Sequence, residues 1–122
     1  MPTIDAVSNS GVKAAVASFS WNHTVAAGSN LGLVVCLQFR DGTLADVGAS
    51  GVTYNSVAMT KLKGYRDTTD SGPLGAEIWY LPSPSTGTNS IAVTLNGTND
   101  HAAGQASSWS DIQQSTTANV TG

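Results

Sequence analysis

The chain has 122 residues, of which 11 % are charged, and its formal net charge at pH 7 is −3. This length predicts one domain that buries roughly two-thirds of the surface of its unfolded chain. The few lysines and arginines argue against nucleic-acid binding, because phosphate neutralisation needs clustered basic side chains. No apolar stretch reaches the ~20 residues of a membrane helix, and the first residues lack the pattern of a signal peptide. We therefore expect neither nucleic acid nor a membrane as a partner.

Two short strands are predicted before residue 25. The first covers residues 3–7 and ends at a polar turn, SNSG, over residues 8–11. The second covers residues 16–21 and places the large side chains of Phe19 and Trp21 on its buried side. Turn residues after this strand lead into the longest apolar run of the chain.

That run, from Leu31 to Arg40, reads LGLVVCLQFR and is bounded by turn signals. A short apolar run of this kind predicts a central strand that is buried on both faces. Its single cysteine, Cys36, is therefore expected to behave as a buried small hydrophobe. One cysteine forms no internal disulfide, so the fold does not depend on an oxidising compartment.

Four further strand signals follow in the second half of the chain. Asn55 suits the first central position of a two-residue hairpin turn, because asparagine tolerates a positive φ. Residues 90–96 alternate between apolar and polar side chains, which predicts a strand with one exposed side. The segments are a hairpin over residues 52–60, a strand over 76–81 that prolines end, the alternating strand over 90–96, and a small-residue strand over 101–109.

About seven strands at intervals of roughly ten residues, with no helical period, predict an all-β fold. We expect an antiparallel β-sandwich, immunoglobulin-like or jelly-roll, rather than a closed barrel. The sandwich domain is predicted to span residues 1–109. Residues 110–122 are predicted to form a polar C-terminal tail or arm, which could lie along a sheet edge of a neighbouring subunit.

Two loops carry pairs of aspartates that could bind calcium, since hard cations prefer several oxygen ligands. Their spacing matches no calcium-loop signature, and aspartate also favours turns for local reasons. We therefore expect no metal and no cofactor. The aspartates are Asp41 and Asp46 in the first loop and Asp67 and Asp70 in the second.

Catalytic residues are also not expected. His23 and His101 lie far apart in sequence and are predicted to be surface residues. No serine occupies a G-x-S-x-G turn, and no acid and base are spaced to activate a nucleophile. The sequence thus predicts a protein that is not an enzyme.

Aromatic and apolar side chains outside the predicted core are the candidates for an interface. Trp79 and Tyr80 are neighbours on one strand and face opposite sides, so one of them must leave the core or be covered by another layer. Such rings could pack against a subunit or stack on sugars. The interface candidates are Trp79, Tyr80, Trp109, Ile112 and Val120.

Three successive segments carry a resemblance to a known family: residues 52–62 (VTYNSVAMTKL), residues 76–86 (AEIWYLPSPST) and the alternating strand at residues 91–95. Together they resemble a β-sandwich repeat found in bacterial extracellular proteins and in phage structural proteins. His23-Thr24-Val25 matches the start of that repeat and residues 108–115 match a later part, so the likeness covers most of the chain after residue 20. The resemblance implies a sandwich and supplies no catalytic residues.

Two departures from that family bear on function. Many relatives continue beyond the segment that ends here near Gly122, which implies a sandwich completed by neighbouring subunits. Met1 without an export signal favours the phage setting, where compact, charge-poor sandwiches resemble capsid decoration or cement proteins. We expect a homo-oligomeric virion protein on the capsid surface, bound to the major capsid protein or another virion protein. The alternative is a carbohydrate-binding or adhesin-like module, extracellular or on a bacterial cell surface.

Overall fold

The computed structural model describes residues 1–42, 47–67, 73–112 and 114. Strands make up 78 % of these residues and none of them is helical, so the all-β prediction is confirmed. The seven strands are β1 (Thr3–Val25), β2 (Gly32–Arg40), β3 (Ala49–Tyr54), β4 (Val57–Ala58), β5 (Thr60–Asp67), β6 (Leu74–Pro82) and β7 (Gly87–Ser110).

All seven strands belong to one antiparallel sheet with the order β4-β3-β7-β2-β6-β5, and β1 pairs with β7. The two long strands divide this sheet into two parts. The smaller half-sheet contains β1 from residue 18 to 25, β7 from 87 to 95, β3 and β4. The larger half-sheet contains β1 from residue 3 to 16, β7 from 99 to 110, β2, β6 and β5.

The sheet is nearly closed into a barrel, which departs from the predicted pair of separate sheets. The two half-sheets stay joined because β1 and β7 run through both of them. Only Met59 separates β4 from β5, so the chain also passes directly between the half-sheets at that point. One hydrophobic core fills the space between them, with Val52, Ile91 and Val93 from the smaller half-sheet and Leu33 and Val35 from the larger.

β2 lies in the middle of the larger half-sheet, between β7 and β6. Its inner side is buried, but Cys36, Gln38 and Arg40 alternate with the core residues and are exposed. The predictions that this strand is buried on both faces and that Cys36 is buried are therefore wrong. A sequence run that is apolar throughout does not reveal that only one side of the sheet is covered.

The predicted short strands at residues 3–7 and 16–21 merge into β1, and those at 90–96 and 101–109 merge into β7. The predicted turn at residues 8–11 lies inside β1, where Gly11 has φ 69° and the register with β7 shifts between Asn9 and Val12. Such a bulge accommodates turn-forming residues without ending the strand. The hairpin turn between β3 and β4 is confirmed, since Asn55 (φ 49°) and Ser56 (φ 64°) both have the positive φ that it demands.

Candidate protein-binding face

Among the described residues eight large apolar side chains are exposed, and six of them lie on one surface, the outer side of the larger half-sheet. We call this surface the apolar outer face. The two others are the terminal Met1 and Val57 next to the hairpin turn. The six residues are Ile4, Val7 and Val12 on β1, Tyr65 on β5, and Leu74 and Ile78 on β6.

Strand register places these residues on the same side. Leu74 and Ile78 alternate along β6 with inward residues such as the buried Glu77. Ile78 pairs with the exposed Cys36, and Tyr65 pairs with Ala76, which is also exposed. Paired residues in a ladder point to the same side of the sheet, so the exposed residues of β2, β5 and β6 form one continuous surface.

A groove runs along β7 between the exposed residues of β1 and those of β2 and β6. Its three adjoining parts have volumes of about 330, 270 and 350 Å³; Val12 lines the first two and Cys36 the last two. Small outward residues of β7, such as Ala103 and Ser107, form its floor. Leu74 on β6 closes one end. The face therefore consists of two apolar ridges with a groove between them.

The outer side of the smaller half-sheet has a different composition, and we call it the hydroxyl outer face. Ser18, Ser20 and Asn22 of β1 pair with Thr94, Ala92 and Ser90 of β7, and this row is built almost entirely from short polar side chains. At the end of this row the Thr24 and Thr88 hydroxyls hydrogen-bond to each other at 2.6 Å. The outer side of the smaller half-sheet is thus polar, and the outer side of the larger half-sheet is apolar.

Both free edges of the larger half-sheet are interrupted. Within the described ranges β1 pairs only with β7, and its register shifts at three places. Its Lys13 is half-buried on the inner side, paired with the buried Ala102. On β5 the register shifts between Lys61 and Lys63. Bulges, inward charges and lysines are the devices by which sheets prevent strand addition at an edge. Among the described residues the apolar outer face has no comparable protection.

The predicted interface residues Trp79 and Tyr80 are both 6 % exposed. Trp79 points into the core, where its Nε1 donates to Glu77 Oε1 at 2.9 Å and the Lys61 ammonium lies 5.8 Å from the ring centroid. Tyr80 is the next residue of the strand and therefore points outward, but its ring is covered. The isolated chain therefore presents neither ring to a partner.

The cover over Tyr80 comes from the chain itself. Ile112 lies so close to Gly32 that a Cβ atom at that glycine would collide with both Ile112 and Tyr80. The backbone N–H of Ile112 donates to the Asn30 carbonyl at 3.1 Å, and Gln114 Nε2 donates to the Leu31 carbonyl at 2.9 Å. The first described residues after β7 thus dock on their own domain.

Of the two remaining interface candidates, Trp109 and Val120, the structure describes Trp109. Trp109 is half-buried at the end of β7, and its Nε1 donates to Ser107 Oγ at 2.8 Å. Val120 lies outside the described residues, as do Asp46 and Asp70. The tail predicted over residues 110–122 therefore stays a prediction beyond residue 114.

Sequence reasoning missed the residues that make up the apolar outer face. A usable signal was present in β6. Leu74, Ile78 and Tyr80 are separated by even numbers of residues and so face one side of the strand, whereas Trp79 faces the other. The alternation of side chains along a strand is enough to indicate that both sides of β6 carry large apolar groups. No comparable signal existed for Val12, which the sequence places next to a predicted turn.

A buried polar network connects the two half-sheets at one end of the core. His23 is 2 % exposed, so the prediction of a surface histidine is wrong for it, whereas His101 is exposed as predicted. Its Nδ1 lies 2.7 Å from Ser8 Oγ and its Nε2 lies 2.9 Å from Ser108 Oγ. Burial lowers the pKa of His23, and the Asp5 carboxylate opposes that effect.

Hydrogen counting in this network determines the tautomer of neutral His23. Ser108 donates its only hydroxyl hydrogen to Asp5 Oδ2 at 2.8 Å, so His23 Nε2 must carry the hydrogen that joins it to Ser108. Nδ1 then accepts from Ser8, whose oxygen accepts in turn from Trp21 Nε1 at 2.9 Å. Because His23 donates to Ser108 and that hydroxyl is fully buried, His23 does not act as a base toward Ser108.

Buried Glu77 makes a second polar connection between the half-sheets. Its carboxylate accepts from the Ala49 backbone N–H at 3.3 Å, which joins β6 to β3. Lys61 Nζ lies 3.6 Å from Oε2 and reaches it from the surface. Both connections join the two half-sheets through groups of the chain itself. Within the described ranges no three His, Cys, Asp or Glu side chains are grouped as metal ligands would be.

Comparison of the chain with protein-family models, with curated proteins and with solved structures finds no match. No helix with the length and apolar character needed to cross a bilayer occurs in the part of the chain that the structure describes. The apolar outer face, defined by register and exposure, is therefore the feature from which function has to be argued.

Proposed function

We propose that the chain is a non-enzymatic structural protein of a phage virion, a capsid decoration or cement protein. The observation that carries the proposal is the concentration of six exposed apolar side chains on the apolar outer face. Monomeric soluble proteins rarely leave a contiguous apolar patch of several hundred Å² exposed, and larger patches mark interaction sites. A protein of this kind works inside an assembly.

The charge distribution supports the same role. Among the described residues that point to this side of the larger half-sheet, the exposed Arg40 and Lys63 and the half-buried Asp67 carry a full charge. Few charges have to be desolvated when this face is covered, so the cost that commonly limits binding is small. The low charge of the whole chain also reduces repulsion between closely packed copies in a lattice.

The virion setting rests on the resemblance of residues 52–62, 76–86 and 91–95 to a sandwich repeat of phage structural proteins and bacterial extracellular proteins. In the same proposal the fold is classed as a β-sandwich, immunoglobulin-like or jelly-roll. Support for that class comes from the two half-sheets, whose inner sides share one core. The partner is the major capsid protein or another protein of the capsid surface.

The alternative, a carbohydrate-binding or adhesin-like module, receives less support. Sugar-binding platforms use exposed aromatic rings, and Tyr65, at 69 % exposure, is the one aromatic residue of the chain that is mostly exposed. Trp79 and Tyr80 are buried. A glycan-binding test nevertheless belongs beside the capsid test, because it separates the two proposals directly.

The test is co-sedimentation of the purified chain with a panel of phage capsids stripped of their decoration proteins, in parallel with a glycan array. We expect saturable capsid binding and no glycan binding. A variant that ends at residue 114 measures the contribution of the predicted arm. A chain that ignores every capsid and binds a glycan through Tyr65 would replace this proposal with the alternative.

A further inference from the structure

We propose that the apolar outer face is a self-complementary dimer interface, on which a second copy of this chain packs sheet against sheet. This inference rests on the proposed function, because it names one occupant of the face through which the protein assembles. Capsid binding is then left to other surfaces, such as the hydroxyl outer face and the C-terminal segment.

The size of the face fits a dimer. The larger half-sheet has five strands, and β2 in its middle has nine residues. With strands about 4.8 Å apart and a rise of about 3.4 Å per residue, the sheet covers roughly 20 Å by 27 Å. This flat area is about 540 Å², close to the lower end, ~600 Å² per partner, of what specific stable interfaces bury.

The shape of the face fits itself. A symmetric pair requires that one surface carries both a protrusion and the recess that receives it. On this face Leu74 and Ile78 form a ridge on β6, and the groove lies over β7. A two-fold axis along β2 places β6 of each copy over β7 of the other. The same operation places Tyr65 on β5 opposite Val12 on β1.

The centre of the pair is Cys36. It is the fifth of nine residues of β2, and β2 is the third of the five strands. The two-fold axis therefore brings the two Cys36 thiols to opposite sides of the interface, and facing sheets lie about 10 Å apart. Arg40 lies at the end of β2, at the rim of the face, where its charge stays in contact with water.

The edges of the sheet favour face packing over strand exchange. The three register shifts in β1 and the shift at Lys61 and Lys63 in β5 obstruct pairing at both edges. Covering the face is therefore the route by which two copies can bury apolar surface. Two copies bury twelve exposed large side chains at once, six from each face.

The first experiment uses the unmodified protein without capsids. We expect light scattering to give about twice the 12.4 kDa chain mass, and dilution to shift it toward one chain. Because Cys36 lies at the centre of the proposed interface, a maleimide should label its thiol more slowly as the protein concentration rises and the dimer forms. Partial burial raises the pKa of the Cys36 thiol, so the reaction is run at pH 8 or above. A single-chain mass at every concentration, or a mass of three or more chains, overturns the inference.

The second experiment compares two lysine variants. Ile78→Lys places a charge next to Cys36 at the centre of the face and should raise the dimer dissociation constant by about 30-fold or more, as for a central hot-spot residue. Val57→Lys changes a residue of similar exposure, 49 % against 42 %, away from the face, and should change the constant less than about twofold. Equal effects of the two variants would refute the proposed interface.

The outcomes separate this inference from the proposed function. A dimer that Ile78→Lys dissociates, but that binds no capsid, upholds the interface and overturns the virion role. A chain that binds capsids while staying a monomer upholds the virion role and overturns the dimer. Circular dichroism of each variant establishes that it is folded before its mass is interpreted.

Discussion

The outer sides of the two half-sheets are built on the same two long strands, β1 and β7, yet they carry different side chains. On the smaller half-sheet the outward residues are serine, threonine, asparagine and alanine, such as Ser20, Asn22 and Thr94. On the larger half-sheet six of the outward residues are large and apolar. Since both sides belong to one sheet over one core, stability of the fold does not explain the difference. The proposed association of the larger half-sheet with another surface accounts for it.

The largest expected effect concerns the core that both half-sheets share. Val35→Asp should abolish folding, because an unpaired carboxylate at a fully buried position costs several kcal/mol, comparable to the stability of a small domain. Gln38→Asp, on the exposed side of the same strand, should change the free energy of unfolding by about 0.5 kcal/mol or less. Circular dichroism and urea unfolding measure both. A folded Val35→Asp variant would show that β2 is not central.

The comparison of the two outer sides is tested by making them alike. A triple variant with Val12→Thr, Leu74→Thr and Ile78→Thr makes the apolar outer face rich in hydroxyl groups, like the hydroxyl outer face. We expect the dimer dissociation constant to rise by about 100-fold or more, because most of the apolar area of the interface is lost. Each residue is exposed, so the thermal stability of the monomer should change little.

A matched triple variant on the hydroxyl outer face, with Ser20→Ala, Ser90→Ala and Thr94→Ala, is the control. It should leave the mass in solution unchanged. If this variant dissociates the dimer and the threonine variant does not, then the assignment of the two faces is reversed.

A smaller effect is expected from acid, which acts on the connection between the half-sheets at His23. Its pKa is lowered by burial in the folded state, so below the ordinary value of 6.5 the unfolded chain takes up the proton first. His23 therefore leaves stability unchanged above about pH 6.5, and the free energy of unfolding falls as the pH decreases below that value. The decrease ends once the pH passes the pKa of folded His23.

Urea unfolding at pH 8, 6 and 5 measures this dependence. The part that belongs to His23 should disappear in His23→Gln and persist in His101→Gln, because His101 is exposed. An unchanged acid dependence in His23→Gln would assign the effect to carboxylates instead.

The smallest expected effect is at the β3–β4 hairpin, at the edge of the smaller half-sheet. Ser56 has φ 64°, a conformation that glycine adopts at lower cost, and Asn-Gly is the preferred pair for this turn. Relief of the left-handed conformation, about 1–2 kcal/mol, outweighs the freedom that glycine adds to the unfolded chain. Ser56→Gly should therefore stabilise the protein by about 0.5–1 kcal/mol, which raises the melting temperature by a few degrees. A lower melting temperature would show that the turn is not of the expected type.

Local sequence determined the elements whose signal lies within a few residues. The apolar run of β2, the Asn55-Ser56 turn and the alternation of Ile91, Val93 and Leu95 each identified their strand, because β-branched residues, positive φ and a period of two are local properties. The absence of any helical period was enough to predict an all-β protein.

Only the tertiary structure decided which sides of those strands are covered. Period-two patterns define two sides but not which side meets the core, so Cys36 was placed inside although it is exposed. His23 is buried because Ser8 and Ser108, distant in sequence, satisfy both of its nitrogens. Tyr80 is covered because Ile112, 32 positions later, lies against Gly32 beside it. Contacts of this kind depend on which strands become neighbours, and that choice is made by the packing of the whole chain.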